Sequence, residues 1–125
     1  MAKNRETRTV QNPALLAVGA RPDVMAWRQQ SGMFRAFDDP TKVVRIGQLG
    51  MADSMAVVAV TITPEMVGKT VGVAVAPEFK TTKGTQSDSQ KAWQAAFEAR
   101  GGIYRLIRSA ADMLALVSDV QAGRW

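Results

Sequence analysis

At 125 residues, 46% of them hydrophobic, the chain suits one compact domain with a single core, and its formal charge of +5 and pI near 10.1 suit a polyanionic partner. It has no cysteine and no histidine, which excludes disulfides, thiolate zinc sites, Ser-His triads and histidine bases, so any metal must be held by oxygen ligands, as Mg²⁺ or Mn²⁺ prefer. No apolar run approaches the ~20 residues of a membrane span, and residues 1–8 lack the apolar stretch of a signal peptide, so the expectation is a cytoplasmic protein with no membrane partner.

Residues 1–9, with Lys3, Arg5 and Arg8, read as a flexible basic arm or the first turn of a helix, and residues 10–125 as a single domain. The apolar positions of 10–18 suit a short helix with Asn12 as cap, Pro13 near its start and Gly19 at its end. Val24–Arg28 reads as a strand, 29–32 as a turn, 33–37 as an extended piece and 38–41 as a polar connection. Val43–Ile46 is the next strand, and 47–52 a loop. The β-branched runs 54–61 and 71–80 are strands, joined through Thr63-Pro64-Glu65 and Gly68 by a connection with one helical turn, long enough to pair them antiparallel. After the polar loop 83–89, Ser87 and Gln90 fit a capping box opening a helix that runs to about residue 99 and stops at Gly101-Gly102. Residues 103–108 are a strand, and Ser109 caps a last helix to about residue 120. The fold class is mixed α/β, a central hairpin followed by helix, strand and helix.

Strand alternation in 71–80 separates Val71, Val73, Val75, Pro77 and Phe79, a bulky face expected to be buried, from Gly72, Ala74, Ala76, Glu78 and Lys80. Glu78 and Lys80 therefore share a face at the end of the strand. Antiparallel pairing with 54–61 would bring Asp53 beside Glu78. Two carboxylates to hold a hard cation, with a lysine to position or activate water, are what metal-assisted phosphodiester hydrolysis requires, and the Phe79 carbonyl offers another oxygen. Against this stands the plainer reading of Glu-x-Lys as a solvated ion pair at a strand end and of Asp53 as a turn residue.

Four segments taken in order resemble the VRR-NUC (virus-type replication-repair nuclease) family, which belongs to the PD-(D/E)xK, restriction-endonuclease-like nucleases. They are Ile46-Gly47-Gln48-Leu49-Gly50-Met51-Ala52-Asp53, Glu78-Phe79-Lys80-Thr81, Ser89-Gln90-Lys91-Ala92-Trp93 and Gly101-Gly102. Trp27-Arg28-Gln29-Gln30-Ser31-Gly32 and the strand 103–109 extend the resemblance over about 10–117. It implies a restriction-endonuclease-like core, a mixed central β-sheet flanked by helices, and a nuclease domain over 10–125. It also implies Asp53 and Glu78 as metal ligands, Lys80 as catalytic lysine and Gln90 as the polar residue on the following helix. Gln90 competes for that role with its place in the capping box. The family's further acid on its first helix corresponds to Glu6, although Asn12-Pro13 interrupts the segment and Gln11 is another candidate.

The expected activity is a structure-specific DNA endonuclease dependent on Mg²⁺ or Mn²⁺, of the homodimeric kind that resolves four-way (Holliday) junctions. If the chain is viral, its site of action is the bacterial host cytoplasm. The alternatives are a monomeric flap or single-strand nuclease and a non-catalytic basic DNA-binding accessory protein. Arg28, Arg35, Lys42, Arg45 and Lys83 are candidate phosphate contacts or plain surface charge. Trp93, at helical spacing with Ala96 and Phe97, reads as core packing, as do Met51 and Met55.

Overall fold

The polar start of the chain is helical from residue 5, in a computed structural model that describes residues 5–29 and 32–125. Residues 1–4, with Lys3, lie outside the described residues. A π-helical turn, Thr7–Gln11, runs without a break into α1 (Asn12–Gly19). Pro13 has no N–H, and its ring crowds the carbonyl four residues back; widening the preceding turn to π spacing, with Asn12 N–H bonded to Thr7 C=O, accommodates it. Asn12, expected as a cap, is therefore itself helical, at φ −62° and ψ −47°. The helix ends at Gly19 as expected.

The strands are β1 (Val24–Arg28), β2 (Gly32–Arg35), β3 (Val43–Ile46), β4 (Ser54–Val58), β5 (Val75–Phe79) and β6 (Ile103–Ile107). A 3-10 turn, Pro64–Met66, occupies the connection before β5, as its sequence suggests. The later helices are α2 (Asp88–Glu98) and α3 (Ala110–Gln121). The expected turn at 29–32 falls partly on residues 30 and 31, outside the described residues.

The architecture is mixed α/β, and the described strands form three two-stranded sheets: β1 with β4, β2 with β3, and β5 with β6. The chain divides into two compact units, Met1–Ala56 and Val57–Trp125. In the first, β2 and β3 form an antiparallel hairpin that places Met33 opposite Arg45 and Arg35 opposite Val43. In the second, β5 and β6 are parallel, in register from Val75 with Ile103 to Phe79 with Ile107, and α2 is the crossover between them. The expected antiparallel hairpin of 54–61 with 71–80 is not formed: β4 pairs with β1, and β5 with β6. Both strands are shorter than expected for the same reason. Pairing of β4 is limited by the five residues of β1, and that of β5 begins only where the Gly101-Gly102 turn delivers Ile103.

Parallel register sorts the side chains of the second unit onto two faces. Ile103 and Ile107 lie on one, packed with Leu116, Met113 and Val120 of α3 in the core. Tyr104 lies on the other, beneath α2, where Trp93 stacks on Phe97 at 4.8 Å and tilts against Tyr104 at 6.2 Å. Phe97 is buried, whereas Trp93, expected as core packing, remains 38% exposed. Gly102 is the close-approach point, since a Cβ there would collide with the Phe97 ring. The bulky face of 71–80 is not the buried one: Val71, Val73, Val75 and Phe79 are all exposed, and Met55 is exposed too.

Candidate active site

The side chains that converge in the second unit come from three elements. Glu78 sits in β5 and Lys80 immediately after it, so alternation keeps both on the α2 side of the sheet. Ser87 opens α2 with its hydroxyl accepting from Gln90 N–H at 3.2 Å, while Ser87 N–H donates to Gln90 Oε1 at 3.0 Å, so the capping box is complete. The same Gln90 side chain reaches the strand. Lys80 Nζ donates to its Oε1 at 3.1 Å, and its Nε2 donates to Glu78 Oε1 at 2.6 Å. The amide has only one workable orientation, because the reverse would set its NH₂ against the Lys80 ammonium and Ser87 N–H. The capping contacts of Gln90 and its bonds to Glu78 and Lys80 therefore coexist in one side chain. Lys80 and Glu78 also pair directly at 3.4 Å, with side chains 19% and 27% exposed.

Tyr104, which sequence reasoning missed, completes the cluster from β6: its hydroxyl donates to Glu78 Oε2 at 3.2 Å. Burial pushes its phenol above the ordinary value; a hydrogen bond from Gln86 works against the rise, and the charge of Glu78 adds to it. Arg108 is the other residue missed. It follows β6, and its guanidinium donates to the Thr81 carbonyl after β5, tying together the C-terminal ends of the two strands. A groove of about 470 Å³ opens there, with Lys80, Thr81, Arg108 and Ser109 on its walls and Phe79, Ile107 and Met113 as its apolar part.

Asp53 belongs to the first unit and is exposed; its carbonyl accepts from Gln29 N–H at 2.8 Å and from Gln11 Nε2 at 3.4 Å, and Gln11 also reaches Ser54 Oγ at 3.2 Å. Gln11 thus meets the backbone carbonyl of Asp53, and Glu6 is exposed on the helix. Without the hairpin of 54–61 and 71–80, the pairing invoked to bring Asp53 beside Glu78 is gone. Among the described residues no group of three or more Asp or Glu is placed to hold a metal ion. The candidate phosphate contacts Arg28, Arg35, Lys42, Arg45 and Lys83 are all exposed, with Arg35 bonded to the Pro40 carbonyl. No helix among the described residues is long and apolar enough to cross a membrane.

Glu78 by itself does not make a site for a hard cation, being a single carboxylate paired with the Lys80 ammonium at 3.4 Å. Oε1 accepts from Gln90, but Oε2 accepts only from Tyr104 among the described residues, leaving one acceptor direction open. Lys80 N–H bonds to Ile107 C=O, and Ile103 N–H to Ala74 C=O. In a parallel ladder this directs the backbone of the even-numbered residues toward β6 and the Phe79 carbonyl toward the opposite edge of β5. Compared with known proteins, the chain matches no family model, no curated protein and no solved structure.

Proposed function

We propose that this chain is a DNA endonuclease that hydrolyses phosphodiester bonds with Mg²⁺ or Mn²⁺, built on a restriction-endonuclease-like core. The observation that carries the reading is the hydrogen-bonded set of Glu78, Lys80 and Gln90 at the C-terminal end of a parallel strand. Ligands of α/β sheets characteristically bind beyond the C-terminal ends of the strands, and the groove there has Lys80 and Arg108 on its walls. Its apolar part suits a nucleotide's sugar, and the two cations suit its phosphate.

In this reading Glu78 holds the cation, with the Phe79 carbonyl as a further oxygen ligand; Asp53 enters as second carboxylate through the family resemblance alone. A bound Mg²⁺ or Mn²⁺ would polarise the scissile phosphate and make its water a stronger nucleophile. Gln90 and Glu78 together hold the Lys80 ammonium, so its three protons are aimed by the fold and not by the substrate. From there Lys80 orients a water or offsets charge that develops on the phosphate. Four-way junctions are the proposed substrate and a homodimer the proposed assembly, because two opposed cuts need two such sites. The cytoplasm is the proposed location.

A second reading has its own support: Glu78 already accepts from three side chains, so the cluster serves equally as a structural clip in a non-catalytic DNA-binding protein. Incubation with a synthetic four-way junction and Mg²⁺ or Mn²⁺ separates the two. The endonuclease cuts, stops cutting when chelator is added, and loses cleavage by at least 100-fold in Glu78→Ala and in Asp53→Ala. Binding without cuts selects the clip, and undiminished metal-dependent cleavage in either variant removes that residue from the site.

A further inference from the structure

Pairing of β2 with β3 decides which exposed cations of the first unit share a surface. The pairs Met33 with Arg45 and Arg35 with Val43 are two steps apart, so these four side chains lie on one face of the ribbon, and Phe34, Val44 and Ile46 lie on the other. Lys42, whose carbonyl accepts from Ala36 N–H at 2.9 Å, continues the register by one step and so belongs to the Phe34 face. Arg35 and Arg45 are diagonal neighbours across the two strands, roughly 7–8 Å apart by that pairing. The paired residues bring no carboxylate to their face, and neither arginine forms an ion pair among the described residues. Arg35 gives one N–H to the Pro40 carbonyl and keeps its other donors. Met33 and Val43, both exposed, occupy the opposite diagonal. β3 is exposed along its whole length and β2 over its last three residues, so the ribbon is open to solvent on both faces. A two-stranded ribbon by itself is marginally stable in water, and two unneutralised guanidiniums on one face add repulsion that a polyanion laid there would relieve.

We propose that the face of the β2–β3 ribbon carrying Arg35 and Arg45 is a docking surface for duplex DNA, each guanidinium taking a backbone phosphate while Met33 and Val43 lie against the sugars. The proposal rests on the endonuclease reading for DNA as the polyanion, and on register and charge for the surface. The planar fork of arginine matches phosphate oxygens in pairs, and a two-stranded ribbon is narrow enough for the major groove. A single strand would call for aromatic rings on which its bases stack; this face carries none, because Phe34 is on the reverse.

The test is binding of the full chain, in the presence of chelator, to a short fluorescent duplex, followed by anisotropy across a range of KCl concentrations. Each phosphate contact contributes about 0.9 to the slope of log affinity against log salt. Arg35→Ala and Arg45→Ala should each lower the slope by about that amount, so that a rise from ~50 to ~200 mM salt weakens binding about 3.5-fold less than in the wild type. Arg45→Lys keeps the charge and the wild-type slope, and Lys42→Ala, on the opposite face, changes it by less than about 0.3. The proposal is overturned if the wild type does not bind the duplex, if both arginine-to-alanine variants keep the wild-type slope, or if Lys42→Ala lowers it as much as they do. It is overturned equally if the single strand binds as tightly as the duplex, or if phosphatidylserine vesicles displace the duplex at equal charge. Should the variants behave as stated while the wild type cuts no DNA with Mg²⁺ or Mn²⁺, the endonuclease reading fails and the docking surface stands.

Discussion

Replacing Gln90 by alanine removes three side-chain hydrogen bonds: from Ser87 N–H at 3.0 Å, from Lys80 Nζ at 3.1 Å and to Glu78 Oε1 at 2.6 Å. Ser87 N–H is exposed and turns to water, so its share is that of a half-lost cap, about 0.5–1 kcal/mol. The bond to the Glu78 carboxylate is charge-assisted, worth roughly 1.5–3 kcal/mol in a dry site. Glu78 is 27% exposed, however, so water recovers part of this, leaving about 1 kcal/mol. Alanine's better helix propensity returns a few tenths. The net expectation is about 1–2 kcal/mol, or a fall in melting temperature of roughly 4–8 °C followed by circular dichroism. The diagnostic is a double-mutant cycle with Glu78→Ala, in which Gln90→Ala should destabilise by the cap share alone, about 0.5–1 kcal/mol. Equal losses in both backgrounds, within ~0.3 kcal/mol, would refute an energetic link between the cap of α2 and the carboxylate of β5.

Gly102→Ala drives a methyl group into the Phe97 ring, which is already stacked against Trp93. Urea unfolding should show a loss of about 2 kcal/mol or more, and a neutral result would mean that the ring has room to move. Tyr104 can be followed alone by its absorbance near 295 nm, being the only tyrosine. Burial first, then the charge of Glu78, raises its folded pKa, so the native state holds the proton more tightly than the unfolded chain does. The stability this contributes is complete below the unfolded value of about 10 and is lost as pH rises through the folded value. The midpoint should lie above 10 in the native protein and fall when the protein is unfolded in urea; coincident midpoints would contradict the buried phenol.

Elements whose signals are local were legible in the sequence. Val24–Arg28 and Val43–Ile46 are strands with the bounds read from their sequence, and the capping box at Ser87 and Gln90 forms with both of its contacts. Glu78 and Lys80 share a face because a period of two is a property of the strand itself. Pairing is different in kind. The apolar runs 54–61 and 71–80 are adjacent in sequence and joined by a connection long enough to reverse, yet nothing in either run says which strand it meets. Residues 71–79 were expected to bury their bulky face for the same reason, since burial depends on what arrives from elsewhere in the chain.

The choice of β6 as partner for β5 also decides what the cluster contains. The parallel pairing sets Tyr104 beside Glu78, through the register Ala76 with Tyr104 and Glu78 with Leu106. The crossover helix between the two strands begins with the cap residue whose side chain then reaches the strand it has just left. Strand, crossover and return strand therefore each deliver one part of the cluster on the α2 side of the sheet: Glu78 with Lys80, Gln90, and Tyr104. Gln90 was placed near the site by resemblance and at the helix start by its spacing from Ser87. A side chain that caps the helix after β5 is held within reach of the carboxylate at the end of β5.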